Sequence, residues 1–397
     1  MNPLLISGYG NSITVNRACL TVSNTDSNKE SYTFRPHQIP YDSIIIEGHY
    51  GNISFEAIRW LMKHDILVSV LNWNGILLST ILPKETNNGN LKIRQYEKYL
   101  DKEERVRIAS TIIKEKISKS QNMLSELSKY YSEISTNVFQ KELKFISKDS
   151  LADIMMHEGR IASAYWTELS KVFNKLYPEF HFETRKNHSY SWNMNASDQI
   201  NALLNYSYAL LESVIRKYIN VIGLDPSIGF LHEIAKSKMP LVYDIQELFR
   251  WVSDLSVIQL LEDKKLTKSS FILTENYHIR LRPETSKLLI EKFKLNMNKK
   301  YEYRGKQYAL ETIIFETVRK LANYISGNTK TLDLGSLEFR IEHIDSEMRD
   351  KILAMTPEER KTKHINKSTL WYQKKMLKEG KAIKVYVKTR EKCFDRP

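Results

Sequence analysis

The spacing of hydrophobic residues changes once along this 397-residue chain, near residue 92, and that change limits the fold more than any other feature. Before it, short apolar runs recur at 4–6, 13–15, 18–22, 43–47, 66–71 and 76–82, divided by turn signals such as Gly8-Tyr9-Gly10-Asn11 and Asn74-Gly75. One helical pattern interrupts them over 54–64, with Ser54 placed to cap it. The run 83–90 (PKETNNGN) has the composition of a linker. Beyond it the period is 3.6 residues, which predicts helices over 101–130, 137–147, 150–176, 197–222, 240–263, 284–295 and 308–326. The expected fold class is α+β. A β-rich domain spans 1–84, a large all-α domain 92–335, and a separate C-terminal unit 345–397. No solenoid-length repeat is visible.

Several classes of protein are set aside by composition. No stretch approaches the roughly 20 unbroken apolar residues that a membrane helix needs, so no membrane partner is expected. The opening MNPLLISGYGNSITV alternates apolar and polar residues and reads as a strand, not a signal peptide. Only Cys19 and Cys393 are present, which leaves no disulfide framework and no thiolate zinc site, in keeping with a reducing cytoplasm.

The net charge of +13 is unevenly placed. Residues 356–397 hold 13 Lys and Arg against 5 Asp and Glu, so +8 of the total sits in this tail. A localised basic module is the electrostatic footprint of a polyanion, and nucleic acid fits it better than a membrane surface. Its helices are legible: one over 346–355, a second begun by the cap Thr356, Pro357 and Glu359, and a third over 367–378, capped by Asn366 and stopped by Gly380. Short helices, a tight turn and a basic last helix match a helix-turn-helix. Leu370 and Leu377 are expected to face inward. Lys367, Ser368, Thr369, Gln373, Lys374, Lys375 and Lys378 are expected to be left for DNA. The pair Trp371-Tyr372 needs a packing or DNA surface, which argues against a merely solvated tail.

Three places could carry chemistry. Glu158 interrupts an apolar stripe formed by Ile154, Met155, Ile161, Ala162 and Tyr165. An unpaired carboxylate there costs several kcal/mol, so it must meet a cation, a donor or a metal; a buried salt bridge serves as well as an ion. His232 follows the turn-rich loop GLDPSIGF (223–230), where a structural hydrogen-bonding role and a ligand role both fit. Asp244 and Glu247 stand three apart on one helix face, an arrangement also common on solvated helices. Carboxylates plus one imidazole, without cysteine, favour Mg²⁺ or Mn²⁺ over structural zinc.

The order of these blocks resembles the CRISPR-associated adaptation integrases, the Cas-one family. The resemblance lies in GLDPSIGFLH (223–232) with LVYDIQELFR (241–250), in NALLNYSYALL (201–211), in HEGRIASAYW (157–166), in 39–75 and in 303–327, spanning roughly residues 3–327. It implies that Glu158, His232 and Glu247 are divalent-metal ligands, with Asp244 the accompanying acid. Many members have Asp at the place of Glu247, and Ser207 stands for a frequent glycine. It further implies a homodimer joined through the β domains. The C-terminal helix-turn-helix resembles casposases, the branch that mobilises casposon transposons. Such an enzyme would act on double-stranded DNA, both transposon ends and target, as a dimer or as a tetramer on DNA, in the archaeal or bacterial nucleoid. It would not need the small adaptation partner protein. A spacer integrase, a metal-dependent nuclease using water, and a non-catalytic DNA-binding regulator are the competing readings.

Overall fold

The computed structural model describes the whole chain except residues 24–30, 49, 73–74, 84–85, 140–149, 186–195, 197, 237, 275–277, 336, 342–350 and 379–397. The β-rich part contains β1 (Pro3–Ile6), β2 (Asn11–Asn16), β3 (Cys19–Ser23), β4 (Ser31–Phe34), β5 (Ser43–Ile46), β6 (Gly51–Ile53), α1 (Phe55–Lys63), β7 (Leu67–Leu71) and β8 (Leu77–Ile81). They form two four-stranded sheets, ordered β4-β3-β2-β6 and β1-β5-β7-β8. In the second sheet β1, β5 and β7 run parallel, and β8 closes it antiparallel. Ser54 caps α1 as expected, its hydroxyl accepting the Ala57 N–H at 3.1 Å.

A sheet with parallel strands is covered on both faces, which is why β5 is an unbroken apolar run. Ile44 packs into the β-rich core with Leu4, Trp60 and Val68, whereas Ile45 enters the helical core with Leu71 and Leu77. Each such burial contributes about 1.5–3 kcal/mol, so the sheet belongs to both cores at once.

The helical part begins earlier than the linker composition suggested. Asn88 caps α2 (Gly89–Leu100), and Asp101 ends it and caps α3 (Lys102–Leu127). The expected 101–130 helix is therefore joined by one the sequence reading missed. Next come α4 (Leu151–Leu176), α5 (Gln199–Ile222), α6 (Pro240–Glu247), α7 (Arg250–Glu262), α8 (Pro283–Asn298) and α9 (Leu310–Ile325). Of the helix expected over 137–147, residues 137–139 are not helical and the rest lies outside the described residues. The α+β class is borne out, but this part is not all-α. Two hairpins interrupt it, β9 (Phe271–Leu273) with β10 (Ile279–Leu281) and β11 (Lys300–Tyr303) with β12 (Lys306–Ala309). Short alternating runs beside strong helical periods carried too little signal to be seen.

After α9 an extended segment lies along α3. Leu334, Leu337, Phe339 and Ile341 are buried in the helical core, Asn122 Nδ2 donates to the Phe339 carbonyl at 3.0 Å, and Glu126 accepts the Ile341 N–H at 2.9 Å. The C-terminal unit contains a helical stretch over 351–354, α10 (Pro357–Thr362) and α11 (Lys367–Lys378). The expected capping box of Thr356 and Glu359 is present. Residues 346–350 of the expected first helix, and Gly380, fall outside the described residues. Ile352, Met355, Ile365, Leu370 and Leu377 are buried yet belong to neither main core. Among the described residues no helix is long and apolar enough to cross a membrane.

One half-buried acid clamps the two main parts together. Just beyond β5, the Glu47 carboxylate accepts from Ser286 Oγ on α8 at 2.8 Å and from the Tyr206 hydroxyl on α5 at 3.5 Å. Burial pushes its pKa up to about 7, against the lowering effect of Ser286, Tyr206 and Arg280; Glu284 adds to the rise. The unfolded chain loses this proton near 4.5, so the folded chain holds more protons between there and 7. Its contribution to stability is complete below pH 4.5 and is lost as pH rises through 7. Glu47→Gln is therefore expected to raise Tm relative to wild type by a few degrees at pH 8, with the gain shrinking toward pH 5. A gain independent of pH in thermal melts counts against a protonated Glu47.

Candidate active site

The loop 223–232 is held from both sides. Gly223 ends α5 in a left-handed conformation (φ 91°) that a side chain would strain. From α2, the buried Gln95 donates through Nε2 to the carbonyls of Asp225 (2.9 Å) and Ile228 (2.7 Å) and accepts the Asp225 N–H (2.8 Å). From α3, Arg105 donates to the Phe230 carbonyl at 3.1 Å and to Glu233 at 2.8 Å.

These contacts aim three successive amides at one carboxylate. Asp244 is fully buried and accepts the N–H groups of Phe230, Leu231 (3.0 Å) and His232 (3.0 Å). It also accepts from His232 Nδ1 at 2.8 Å, which leaves Nε2 as the ring nitrogen available to the cavity that His232 lines. A Cβ at Gly229 would stand 2.7 Å from Pro240 and 2.8 Å from the Asp244 carboxylate, so only glycine allows this approach. Asp244, expected as a fourth member of the site, is consumed by these donors and acts behind His232.

One turn further on, the helix expected over 240–263 breaks. Leu248 and Phe249 donate to Ile245 and Gln246, three residues back, and both side chains are buried. The corner places Glu247 at the end of α6 and Arg250 at the start of α7, with Arg250 Nη1 2.7 Å from Glu247 Oε1. The Arg250 guanidinium also lies 4.6 Å from the centre of the Tyr208 ring. Tyr208 in turn donates to Asp254 at 2.5 Å, which Tyr165 also reaches at 2.9 Å. Arg185, held by Asn201 (2.6 Å) and Asn205 (2.7 Å), lies over the same Tyr208 ring.

Across the corner, Lys116 on α3 bridges two acids. Its Nζ contacts Glu158 Oε1 on α4 and stands 2.6 Å from Glu247 Oε2. Ile154, Ile161 and Tyr165 are buried beside Glu158, as its stripe implied, but Met155 is exposed and Glu158 lies at the stripe's edge. Glu158, His232, Glu247, Arg250 and Lys116 all line one cavity of about 420 Å³, together with Lys119, Arg185, Tyr208 and Asp254. Burial alone would raise the Glu247 carboxyl, but Arg250 and Lys116, with His232 behind them, hold it down to about 2. Burial opposes charge on His232 as well; Asp244 and Glu247 outweigh it and lift the imidazole above its ordinary pKa, Lys116 opposing them.

The three expected ligands thus share a cavity, but among the described residues they do not form a closed set around an ion. An ammonium stands between the two carboxylates instead. The residues nonetheless fit a divalent cation. Glu247 Oε2 is buried and faces a cation, with Lys116 Nζ 2.6 Å away. Two carboxylates and an imidazole fixed by a buried acid supply hard and borderline donors. Sequence reasoning missed Lys116 and Asp254, although the rule that singled out Glu158 applies to both. Lys116 lies among Ile112, Ile113 and Ile117, and Asp254 among Trp251, Leu255, Val257 and Ile258. Gln95 and Arg105 carried no signal, because they act through backbone carbonyls distant in sequence.

In α11 the outward face is Lys367, Ser368, Trp371, Tyr372 and Lys375, with Trp371 63% and Tyr372 54% exposed. Lys375 stands 5.4 Å from the Trp371 ring centre. Thr369 is half-buried. Gln373, expected to face DNA, is turned inward and 2% exposed, because positions 370, 373 and 377 share one helical stripe. Lys374 is half-buried and donates to the Met355 carbonyl at 2.8 Å. The side chain of Lys378 is outside the described residues.

Comparison with known proteins follows the same lines. Residues 4–295 match the family model for CRISPR associated protein Cas1. A solved casposase bound to integration product is 41% identical, with a TM-score of 0.80, covering 89% of this chain and 99% of that one. A CRISPR-associated endonuclease Cas1 of Archaeoglobus fulgidus is 25% identical over 345 residues, 82% of this chain and 97% of its own length. A Cas1 protein from Thermotoga maritima shares the fold with a TM-score of 0.66 at 20% identity, over 82% of this chain and 97% of that one.

The clasp at Gln95 is testable without an assay of activity. Gln95→Met keeps the side-chain volume but leaves a buried N–H and two carbonyls unpaired, so stability is expected to fall by about 2–3 kcal/mol. With the loop loosened from Asp244, the His232 imidazole should titrate closer to ordinary histidine in NMR. Unchanged stability and an unchanged titration argue against the clasp.

Proposed function

Since the chain belongs to the CRISPR-associated Cas1 family, we propose that it is a casposase-type DNA integrase, joining the 3′ ends of a mobile DNA segment to a target duplex with Mg²⁺ or Mn²⁺ held by Glu158, His232 and Glu247. The observation that carries this reading is the pairing of Glu158 and Glu247 around a single positive charge, beside an imidazole pinned by a buried acid. The 41% likeness to a casposase over 89% of the chain, and a basic unit beyond the family match, favour transposition over spacer acquisition. On this reading no small adaptation partner is needed, and the enzyme works on nucleoid DNA in an archaeal or bacterial cytoplasm.

When bound, the ion would polarise the target phosphodiester and assist attack by a DNA 3′-OH. The chain's own groups prepare the place. Asp244 fixes His232 in the tautomer that presents Nε2, and Arg250 pins one oxygen of Glu247 while the other meets Lys116. Lys119, Arg185 and Arg250 line the cavity with positive charge suited to a phosphate backbone. One phosphodiester is exchanged for another, so no ATP is needed.

Duplex DNA meets the C-terminal helix-turn-helix through Lys367, Ser368 and Lys375, with Trp371 and Tyr372 packing on sugar or base. Two copies pair through their β-rich parts, where Tyr9, Tyr50, Phe55 and Leu78 are exposed, and two such dimers assemble as a tetramer on DNA. A second reading, cleavage with water as nucleophile, is favoured by the relatives named endonucleases.

A 3′-OH oligonucleotide with supercoiled plasmid separates the readings. Wild type is expected to give joined products only with Mg²⁺ or Mn²⁺, and Glu158→Gln, Glu247→Gln or His232→Ala to abolish them. Nicked plasmid without joining favours hydrolysis, and joining that survives these variants overturns the assignment. Separately, Lys367→Ala and Lys375→Ala should each lower the salt dependence of DNA binding by about 0.9 in log–log slope. An unchanged slope removes α11 from the DNA interface.

A further inference from the structure

Among the described residues four Lys and Arg side chains line the cavity, and three of them have anchors of their own. Arg250 is tied to Glu247 Oε1 and the Tyr208 ring, Arg185 to Asn201 and Asn205, and Lys119 to Glu115 at 2.7 Å. Lys116 differs: its polar partners are Glu158 and Glu247, the two carboxylates that an ion would claim. Those carboxylates come from separate helices and would repel one another if left bare in a largely buried place. One ammonium relieves that repulsion, and with Arg250 on Glu247 it brings the two carboxylates to neutrality.

The contact is built to be given up. Glu247 Oε2 stands 2.6 Å from Lys116 Nζ, whereas Oε1 is held separately by Arg250. Withdrawal of the ammonium gives up its bonds to Glu158 and Glu247, which an entering divalent ion would replace, and leaves the Glu247 carboxylate oriented by Arg250. Lysine carries a point charge on a four-carbon stem, so it can swing into the cavity it already lines.

We propose that Lys116 is a resident counter-cation that holds the Glu158–Glu247 pair ready, is displaced when the divalent ion enters, and then meets the DNA phosphate in the adjoining cavity. This rests on the metal-dependent reading above. Lys116 therefore couples two events: it weakens binding of the ion to the DNA-free enzyme, and it strengthens hold on DNA once the ion is in place. The exchange keeps the site from closing on an ion before substrate can accept the released charge.

Mn²⁺ titration calorimetry on the full chain without DNA tests the first half. Lys116→Met is expected to bind Mn²⁺ at least about tenfold more tightly than wild type, and to gain more in Tm when Mn²⁺ is added. Lys116→Arg, whose fork can grip both carboxylates, should bind Mn²⁺ no more tightly than wild type. At saturating Mn²⁺ the methionine variant should show a raised KM for the DNA end. If wild type binds Mn²⁺ and Lys116→Met binds it equally or less well, displacement is overturned. Tighter Mn²⁺ binding with an unchanged KM overturns the transfer to phosphate. If wild type takes no Mn²⁺, the metal reading itself falls. Should the methionine variant fail to fold, Lys116→Arg decides: Mn²⁺ binding tighter than wild type contradicts the proposal.

Discussion

The carboxylate of Asp244 receives three consecutive backbone amides and one imidazole N–H in a place without solvent. A buried charge with so many donors is stable only while all of them stay aimed at it, and losing any one leaves the rest exposed to the full desolvation penalty. The surrounding chain is shaped by that demand. Gly229 gives up its side chain so the loop can approach, Pro240 starts α6 at the right distance, and Gln95 and Arg105 hold the loop's outer carbonyls. His232 is oriented as a consequence, and Glu247, one turn after Asp244, inherits its position from the same helix.

The shared sheet explains why this loop can be so constrained without a large domain of its own. Ile44 and Ile45 belong to different cores, so the β-rich part and the helices cannot slide without opening both. Glu47 extends the same strand into the helical layer and bonds to α5 and α8. The cavity then lies at the corner between α6 and α7, where a break in the helix turns Glu247 and Arg250 toward α3 and α4. An uninterrupted helix over 240–263 would carry these two side chains past the corner.

What could be read from sequence follows from the range of each interaction. The α+β class, the cap at Ser54 and the capping box at Thr356 rest on local periods and short-range bonds, and they were legible. Glu158 was legible because a charge in an apolar stripe is a local contradiction. The break after Glu247 was not, since Leu248 and Phe249 continue the helical period while their burial turns the backbone. Lys116 was overlooked because a lysine in a helix usually reaches water, although its place among Ile112, Ile113 and Ile117 was the same local contradiction that marked Glu158. Gln373 was misplaced by judging a polar residue by type, when the stripe 370, 373, 377 had already assigned it inward.

The segment after α9 decides how the C-terminal unit relates to the cavity. Phe339 stacks on Trp251, ring centres 3.8 Å apart, and Trp251 is itself part of the cavity wall. The same segment is bonded to Asn122 and Glu126 on α3, the helix that carries Lys116 two turns earlier. The chain is thus fastened to the back of the cavity before it reaches the basic unit. Ile352, Leu370 and Leu377 of that unit are buried outside both main cores, and the face of Lys367, Trp371 and Lys375 is exposed. The polar demands at Asp244 leave the loop and α6 little freedom to vary, whereas a face such as Lys367, Trp371 and Lys375 can change residue by residue without disturbing them. A tightly constrained loop and an exposed basic face can coexist in one chain because the residues buried beneath that face lie outside both main cores and the segment leading to them is bonded to α3.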